Sequence, residues 1–195
     1  MENEKTSFWD ERRVQFYIET WGPPDSPKKW RNKDRMEIPV KFLKGDKVLD
    51  VGCGLGHLYC ALRGKVARYI GADASPSMLL MARQYFPEAD FRKGDVHDLS
   101  AFPTVDTVYS VSLLIHLESV DEPIRQLWSR AQQRLLFLIP LGNREKTERP
   151  EPGLIYHQTS YTMLDSILTS LPDVKNVEKI HWVDRHHFVI LDRQE

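Results

Sequence analysis

Residues 48–56 read Val-Leu-Asp-Val-Gly-Cys-Gly-Leu-Gly, a β-type apolar run with one acidic residue that passes into glycines at alternate positions. A parallel strand turning sharply into a helix needs residues that tolerate positive φ, and bare backbone lets a ligand come close. A tight structural turn accounts for one glycine, whereas Gly52, Gly54 and Gly56 together point to a nucleotide-like ligand. The dinucleotide fingerprint places its third glycine three residues after the second. Here that position holds His57. Asp73 lies about 20 residues after the first glycine, where an acid at the end of a second strand binds ribose hydroxyls. It supports an adenosine ligand without separating a dinucleotide from other adenosine cofactors.

Downstream, the β-type runs at 48–51, 69–72, 91, 107–111 and 135–139 alternate with helical stretches at 56–62, 76–85 and 122–131. This pattern predicts βαβ units on a parallel sheet with right-handed crossovers. After a helix over 160–171, the runs 177–183 and 187–191 are separated only by Asp184, Arg185 and His186. So short a link excludes a crossover helix and predicts an antiparallel hairpin at the sheet edge. Residues 141–157, rich in Pro, Gly, Glu and Arg, read as a long loop and a candidate lid. Upstream, Ser7 and Asp10 stand at capping-box-like spacing, with Val14, Tyr17, Ile18 and Trp21 at helical intervals, so a helix is expected over 7–21. The proline-rich segment 22–27 breaks it, and a second helix is expected over 29–42.

The 195 residues, 41% hydrophobic and 28% charged, suit one globular domain. Residues 1–44 read as an N-terminal helical cap and 45–195 as an α/β core. With 27 basic against 28 acidic residues the formal charge is -1, so the whole-chain field selects no polyanion. Residues 28–47 are locally basic, but sparse aromatic interleaving reads as a solvated face and argues against a nucleic-acid partner. Cys53 and Cys60 are poorly arranged for a disulfide, which suggests reduced thiols and a cytoplasmic protein. No leader is evident, and no apolar segment approaches the ~20 residues that span a bilayer. A monomer or homodimer away from membranes is expected.

Over residues 47–192 the chain resembles the class I, seven-stranded, S-adenosylmethionine-dependent methyltransferases of small, soluble type. The resemblance implies a three-layer, Rossmann-like α/β sheet of order 3-2-1-4-5-7-6 with strand 7 antiparallel. It places Gly52, Gly54 and Gly56 along the methionine part of the cofactor and makes Asp50 the acid that organises the loop. Asp73 becomes the ribose acid, while Ala74 and Met78 line the adenine. Asp95 accepts from the adenine amino group, and the Val96 amide faces the ring. Ser110, Val111 and Ser112 lie beside the cofactor, in a run that ends in the His116-Leu117 pair common in members acting on small molecules. The chain departs from the family in two places. Ala131-Gln132-Gln133-Arg134 stands where a Lys-Pro-Gly-Gly turn is frequent, and there is no Asn/Asp-Pro-Pro-Tyr/Phe signature of amino-group methylation.

Methyl transfer from a sulfonium is an in-line displacement, so positioning and exclusion of water supply much of the acceleration and a base is optional. His116, at a strand's C-terminal end, is the candidate catalytic base or orienting group. Packing beside the cofactor is the other reading of this residue. Of the aromatic N-terminal residues Phe8, Trp9, Phe16, Tyr17, Trp21 and Trp30, Tyr17 and Trp21 are the candidates to cover the cofactor. Arg31 and Arg35 are the candidates for its methionine carboxylate. Tyr156, His157 and Tyr161 are expected to wall the acceptor pocket with His116. His181, His186 and His187 read as structural, and no metal is expected. The resemblance implies methylation of a small-molecule acceptor at oxygen, nitrogen or sulfur, yielding S-adenosylhomocysteine. An RNA or protein methyltransferase and a non-catalytic cofactor-binding protein are the alternatives.

Overall fold

In the computed structural model, which describes residues 11–194, the glycine loop follows a short strand, β1 (Lys47–Val51). Ser7, Phe8, Trp9 and Asp10 lie outside the described residues. Residues 48–51 are all buried, as expected of a parallel strand covered on both faces. β2 (Arg68–Asp73), β3 (Asp90–Lys93), β4 (Val105–Ser110) and β5 (Ala131–Gly142) join it in the spatial order 3-2-1-4-5, every pair parallel.

Side-chain alternation along these strands divides the core in two. Leu49, Val51, Leu135 and Phe137 pack with Ile124, Leu127 and Trp128 of α5 (Asp121–Arg130) and Leu164 of α6 (Tyr161–Ser170). Val48, Tyr69, Leu136 and Leu138 pack with Leu58 and Leu62 of α3 (His57–Leu62) and Leu79 of α4 (Pro76–Tyr85). The result is three layers with helices on both faces. Ser75 caps α4 by accepting from Met78 N at 3.1 Å, with Pro76 in the first turn, and Ser160 caps α6 likewise through Met163 N.

The far edge carries the expected antiparallel hairpin, which completes the expected strand order. β9 (His186–Arg193) pairs antiparallel with β5 from Arg134↔Asp192 to Pro140↔His186, and β8 (Val174–Val183) pairs with β9. The order 3-2-1-4-5-7-6 is thus realised as β3-β2-β1-β4-β5-β9-β8.

The expected loop over 141–157 is instead a second hairpin. β6 (Lys146–Glu151) and β7 (Leu154–Ser160) pair antiparallel around a turn containing Gly153 at φ 81, and β7 runs parallel to the end of β5 through Leu141↔Thr159. The sheet therefore has nine strands among the described residues. β6 is almost wholly exposed and lacks the alternation that announces a strand, and Pro150 is tolerated at a register shift.

The cap begins with α1 (Glu11–Trp21), which ends at Gly22 with φ 91. A Cβ there would lie 2.5 Å from the Lys29 carbonyl oxygen, so glycine lets the chain fold back closely on itself. α2 (Asp34–Lys41) is shorter than expected because Arg31 N bonds to Trp21 O at 3.1 Å and Asn32 is left-handed, φ 50, before the helix starts.

Candidate active site

The three loop glycines all have positive φ, 77° at Gly52, 52° at Gly54 and 84° at Gly56, yet they face different surroundings. A Cβ on Gly52 would lie 2.7 Å from Leu113 Cβ, and one on Gly56 would lie 3.0 Å from Phe91 Cζ. A Cβ on Gly54 would meet nothing within 4 Å. Two of the glycines therefore serve packing, and Gly54 presents bare backbone to open space. The loop is tied to β2 by bonds from Gly52 N and Cys53 N to Ala72 O, 2.8 and 3.1 Å. Asp73 completes the tie, its Oδ2 accepting from Gly54 N at 2.8 Å and its Oδ1 from Ser75 N at 2.9 Å. Burial raises the Asp73 pKa and these amides oppose the rise. Each carboxylate oxygen keeps a second lone pair for a ligand hydroxyl.

Asp50 is buried below the loop end of β1 and accepts from Tyr69 Oη at 2.8 Å. Burial raises its pKa to about 7, against the Tyr69 bond and with the added repulsion of Asp73. Ala74 is half-buried beside Asp73, and Met78 is buried against Leu55 and Val14, so α1 reaches this side of the site. Val96 is buried, whereas Asp95 is exposed and accepts from His97 N at 3.0 Å.

At the end of β4, Ser110 is buried with its hydroxyl unpartnered, Val111 is buried, and Ser112 is left-handed at φ 70. Ser112 Oγ accepts from Arg35 Nη1 at 3.4 Å, and Tyr17 Oη accepts from Nη2 at 3.3 Å. The guanidinium carbon lies 4.2 Å from the Trp21 ring centroid. Arg35 is only 5% exposed, its Nε has no partner, and among the described residues no carboxylate pairs with it. A buried guanidinium without a counter-ion is costly, so the site is built to receive an anion. Arg31, the other candidate, is exposed.

His57, which occupies the position of the missing dinucleotide glycine, fastens the loop to the cap. Its Nε2–H donates to Gly22 O at 3.0 Å, and its ring sits 5.8 Å from Tyr17 and 5.5 Å from Trp30. Burial lowers its pKa to about 4, so the imidazole is neutral.

His116 closes a 3-10 turn (Leu114–His116) after β4. Its Nδ1–H donates to Ile155 O of β7 at 2.9 Å, which leaves the lone pair on Nε2, and Tyr156 lies 5.7 Å from its ring. Burial lowers its pKa, against the Ile155 bond. An ion pair between Arg13 of α1 and Glu151 of β6 joins cap to hairpin, and Arg149 bonds Glu118 at 3.3 Å. His157 turns into the hairpin, within 2.9 Å of Thr147 Oγ1, and Tyr161 packs edge-on against His187. Of the three expected wall residues, the structure brings Tyr156 to His116 and places His157 and Tyr161 elsewhere. Among the described residues, no three of His, Cys, Asp and Glu converge as metal ligands.

Residues 48–135 match the family described as the methyltransferase domain. The described residues have the class I methyltransferase fold. Its similarity to magnesium protoporphyrin IX methyltransferase from Synechocystis PCC 6803, solved with bound SAM, has a TM-score of 0.74 at 19% identity over 100% of this chain and 99% of that one. The tRNA U34 carboxymethyltransferase of Aeromonas salmonicida is 36% identical over 111 residues, 50% of this chain and 33% of that protein. The ubiquinone biosynthesis O-methyltransferase of Azorhizobium caulinodans is 28% identical over 110 residues, 54% of this chain and 44% of that protein. The matches thus span less than half the length of these curated relatives. The roles of His57, of the Ile155 carbonyl and of Arg13 with Glu151 had no sequence signal beyond a histidine following the last loop glycine.

Proposed function

We propose that the protein transfers a methyl group from S-adenosylmethionine to a small-molecule acceptor, releasing S-adenosylhomocysteine. The observation that carries this reading is the pairing of Gly54, open and fixed to Asp73, with Arg35, a buried cation lacking a counter-ion among the described residues. A zwitterionic adenosine ligand needs both features: close approach to backbone beside a ribose-binding carboxylate, and a cation for its own carboxylate. The cofactor supplies an activated methyl group. The Nη edge of Arg35, with Tyr17 and Trp21, holds the methionine carboxylate, and Asp73 accepts from the ribose hydroxyls. Asp95 and the Val96 amide bind the adenine, with Ala74 and Met78 against its ring. His116 orients the acceptor and accepts its proton at Nε2, with Tyr156 as the adjoining wall.

Residues 11–44 cap a catalytic domain formed by 45–194. The thiols of Cys53 and Cys60 are free, which suits a cytoplasmic monomer or homodimer. No helix among the described residues is long and apolar enough to cross a membrane. The bridge from Arg13 to Glu151 links two walls of the site and favours a small acceptor over a folded RNA. Calorimetry with S-adenosylhomocysteine tests the donor. One-to-one binding is expected, and no binding at millimolar ligand overturns the reading. Salt-sensitive RNA binding would transfer the proposal to a tRNA-directed enzyme.

A further inference from the structure

Asp95, the acid read as the acceptor for adenine, does not set its own orientation. It lies two residues beyond β3 in a turn anchored on the ribose side of the site, where Gly94 N donates to Asp73 O at 3.0 Å. A Cβ on Gly94 would lie 2.6 Å from Phe102 Cζ, so the backbone there is packed without slack. Asp98 N donates to Asp95 O at 3.0 Å and closes the turn. Val96 is buried, which leaves Asp95 and His97 together on its exposed side. Asp95 Oδ1 meets His97 twice, at the backbone N (3.0 Å) and at ring Nδ1 (2.8 Å). A carboxylate oxygen only accepts, so Nδ1 carries the hydrogen and donates.

One amide on Oδ1 leaves a carboxylate able to pivot about that oxygen. A second donor from another direction fixes its plane and therefore the place of Oδ2. An exocyclic amino group is a directional donor, so an acceptor already set in the plane of the base binds it without an ordering cost. We propose that His97 is a positioning residue for the donor: acting through Oδ1, its ring sets the Asp95 carboxylate to accept from the adenine amino group. The proposal rests on the donor reading above and on the part of Asp95 in it. Both side chains are exposed, so the ring bond contributes orientation and little stability. The backbone amide of residue 97 survives any non-proline substitution, so the ring donor can be removed while the turn stays closed.

The test titrates the full chain calorimetrically with S-adenosylhomocysteine and with its analogue lacking only the 6-amino group of the base. Wild type should bind S-adenosylhomocysteine at least about tenfold more tightly than the analogue. His97→Ala should shrink that preference to about threefold or less by weakening S-adenosylhomocysteine alone. Unchanged affinity for the analogue also shows that the variant is folded. His97→Asn, whose side-chain N–H stands near the Nδ1 position, should restore most of the preference. A wild-type preference in His97→Ala, equal losses for both ligands, or no recovery in His97→Asn would overturn the positioning role. If wild type binds both ligands equally, the adenine role of Asp95 fails and the inference with it. If wild type binds neither, the donor reading itself fails, so the three failures are distinct.

Discussion

Between β1 and β3 the site is made largely of backbone, whereas from the end of β4 to β7 it is made of side chains. On the first side, positive-φ glycines, the Gly54 amide and an Asp73 carboxylate fixed by amides set the shape. On the second, His116 and Tyr156 come from a 3-10 turn and a hairpin. Backbone geometry is fixed by the fold itself, so it suits the constant partner of a reaction. Side chains on hairpins can change without moving the sheet and suit the variable partner.

The sharpest break of this contrast is made within the loop. Gly52→Val adds backbone strain to a clash with Leu113 and should cost about 4 kcal/mol, read as a collapse of the thermal midpoint. Gly54→Ala carries strain without a clash, costing about 1–2 kcal/mol, but should reduce S-adenosylhomocysteine affinity more than about tenfold. Wild-type affinity in Gly54→Ala would remove the donor from that face.

His57 ties the backbone side to the cap and can be isolated by pH. Its folded pKa of about 4 lies below the ordinary 6.5, so its contribution is complete above pH 6.5 and lost as pH falls towards 4. His57→Gln, which retains a donor for Gly22 O, should remove roughly 3 kcal/mol of that acid loss in denaturant titrations. Asp50 has the opposite sign. Its pKa is raised from 3.8 to about 7, so its contribution is present below pH 3.8 and lost as pH rises to 7. An Asp50→Asn variant should therefore flatten the neutral side of the same profile.

Asp73→Asn keeps an oxygen for one loop amide but gives up charge and acceptor capacity. A loss of roughly 30-fold in S-adenosylhomocysteine affinity, about 2 kcal/mol, is expected by calorimetry. The smallest effect belongs to the bridge between the two walls. Arg13 and Glu151 are 32% and 39% exposed, so Arg13→Ala should change stability by less than about 1 kcal/mol.

The same division explains what the sequence revealed. Alternate glycines, an acid at the end of β2 and the Ser75-Pro76 cap are local signals, and all three lie where they were expected. The terminal hairpin was legible because Asp184, Arg185 and His186 leave no room for a crossover. β6 was not legible, because an exposed strand rich in Glu, Lys and Arg has no apolar period. Arg31 and Arg35 were equal candidates until the turn at Asn32 fixed which of them is buried. The bond from His116 to Ile155 and the Trp182–Asp34 contact join residues far apart in sequence, and no local pattern encodes them.

β5 also sets an order in time. Its parallel neighbour β4 precedes it in the chain, but its antiparallel neighbour β9 is made after β6, β7, α6 and β8. During synthesis the donor-side strands can pair while one edge of β5 still waits, and that edge holds Leu135, Leu136, Phe137 and Leu138. A ribosome paused before β9 would therefore present a finished glycine loop beside an unpaired apolar strand, and this nascent stage is where a chaperone has most to protect.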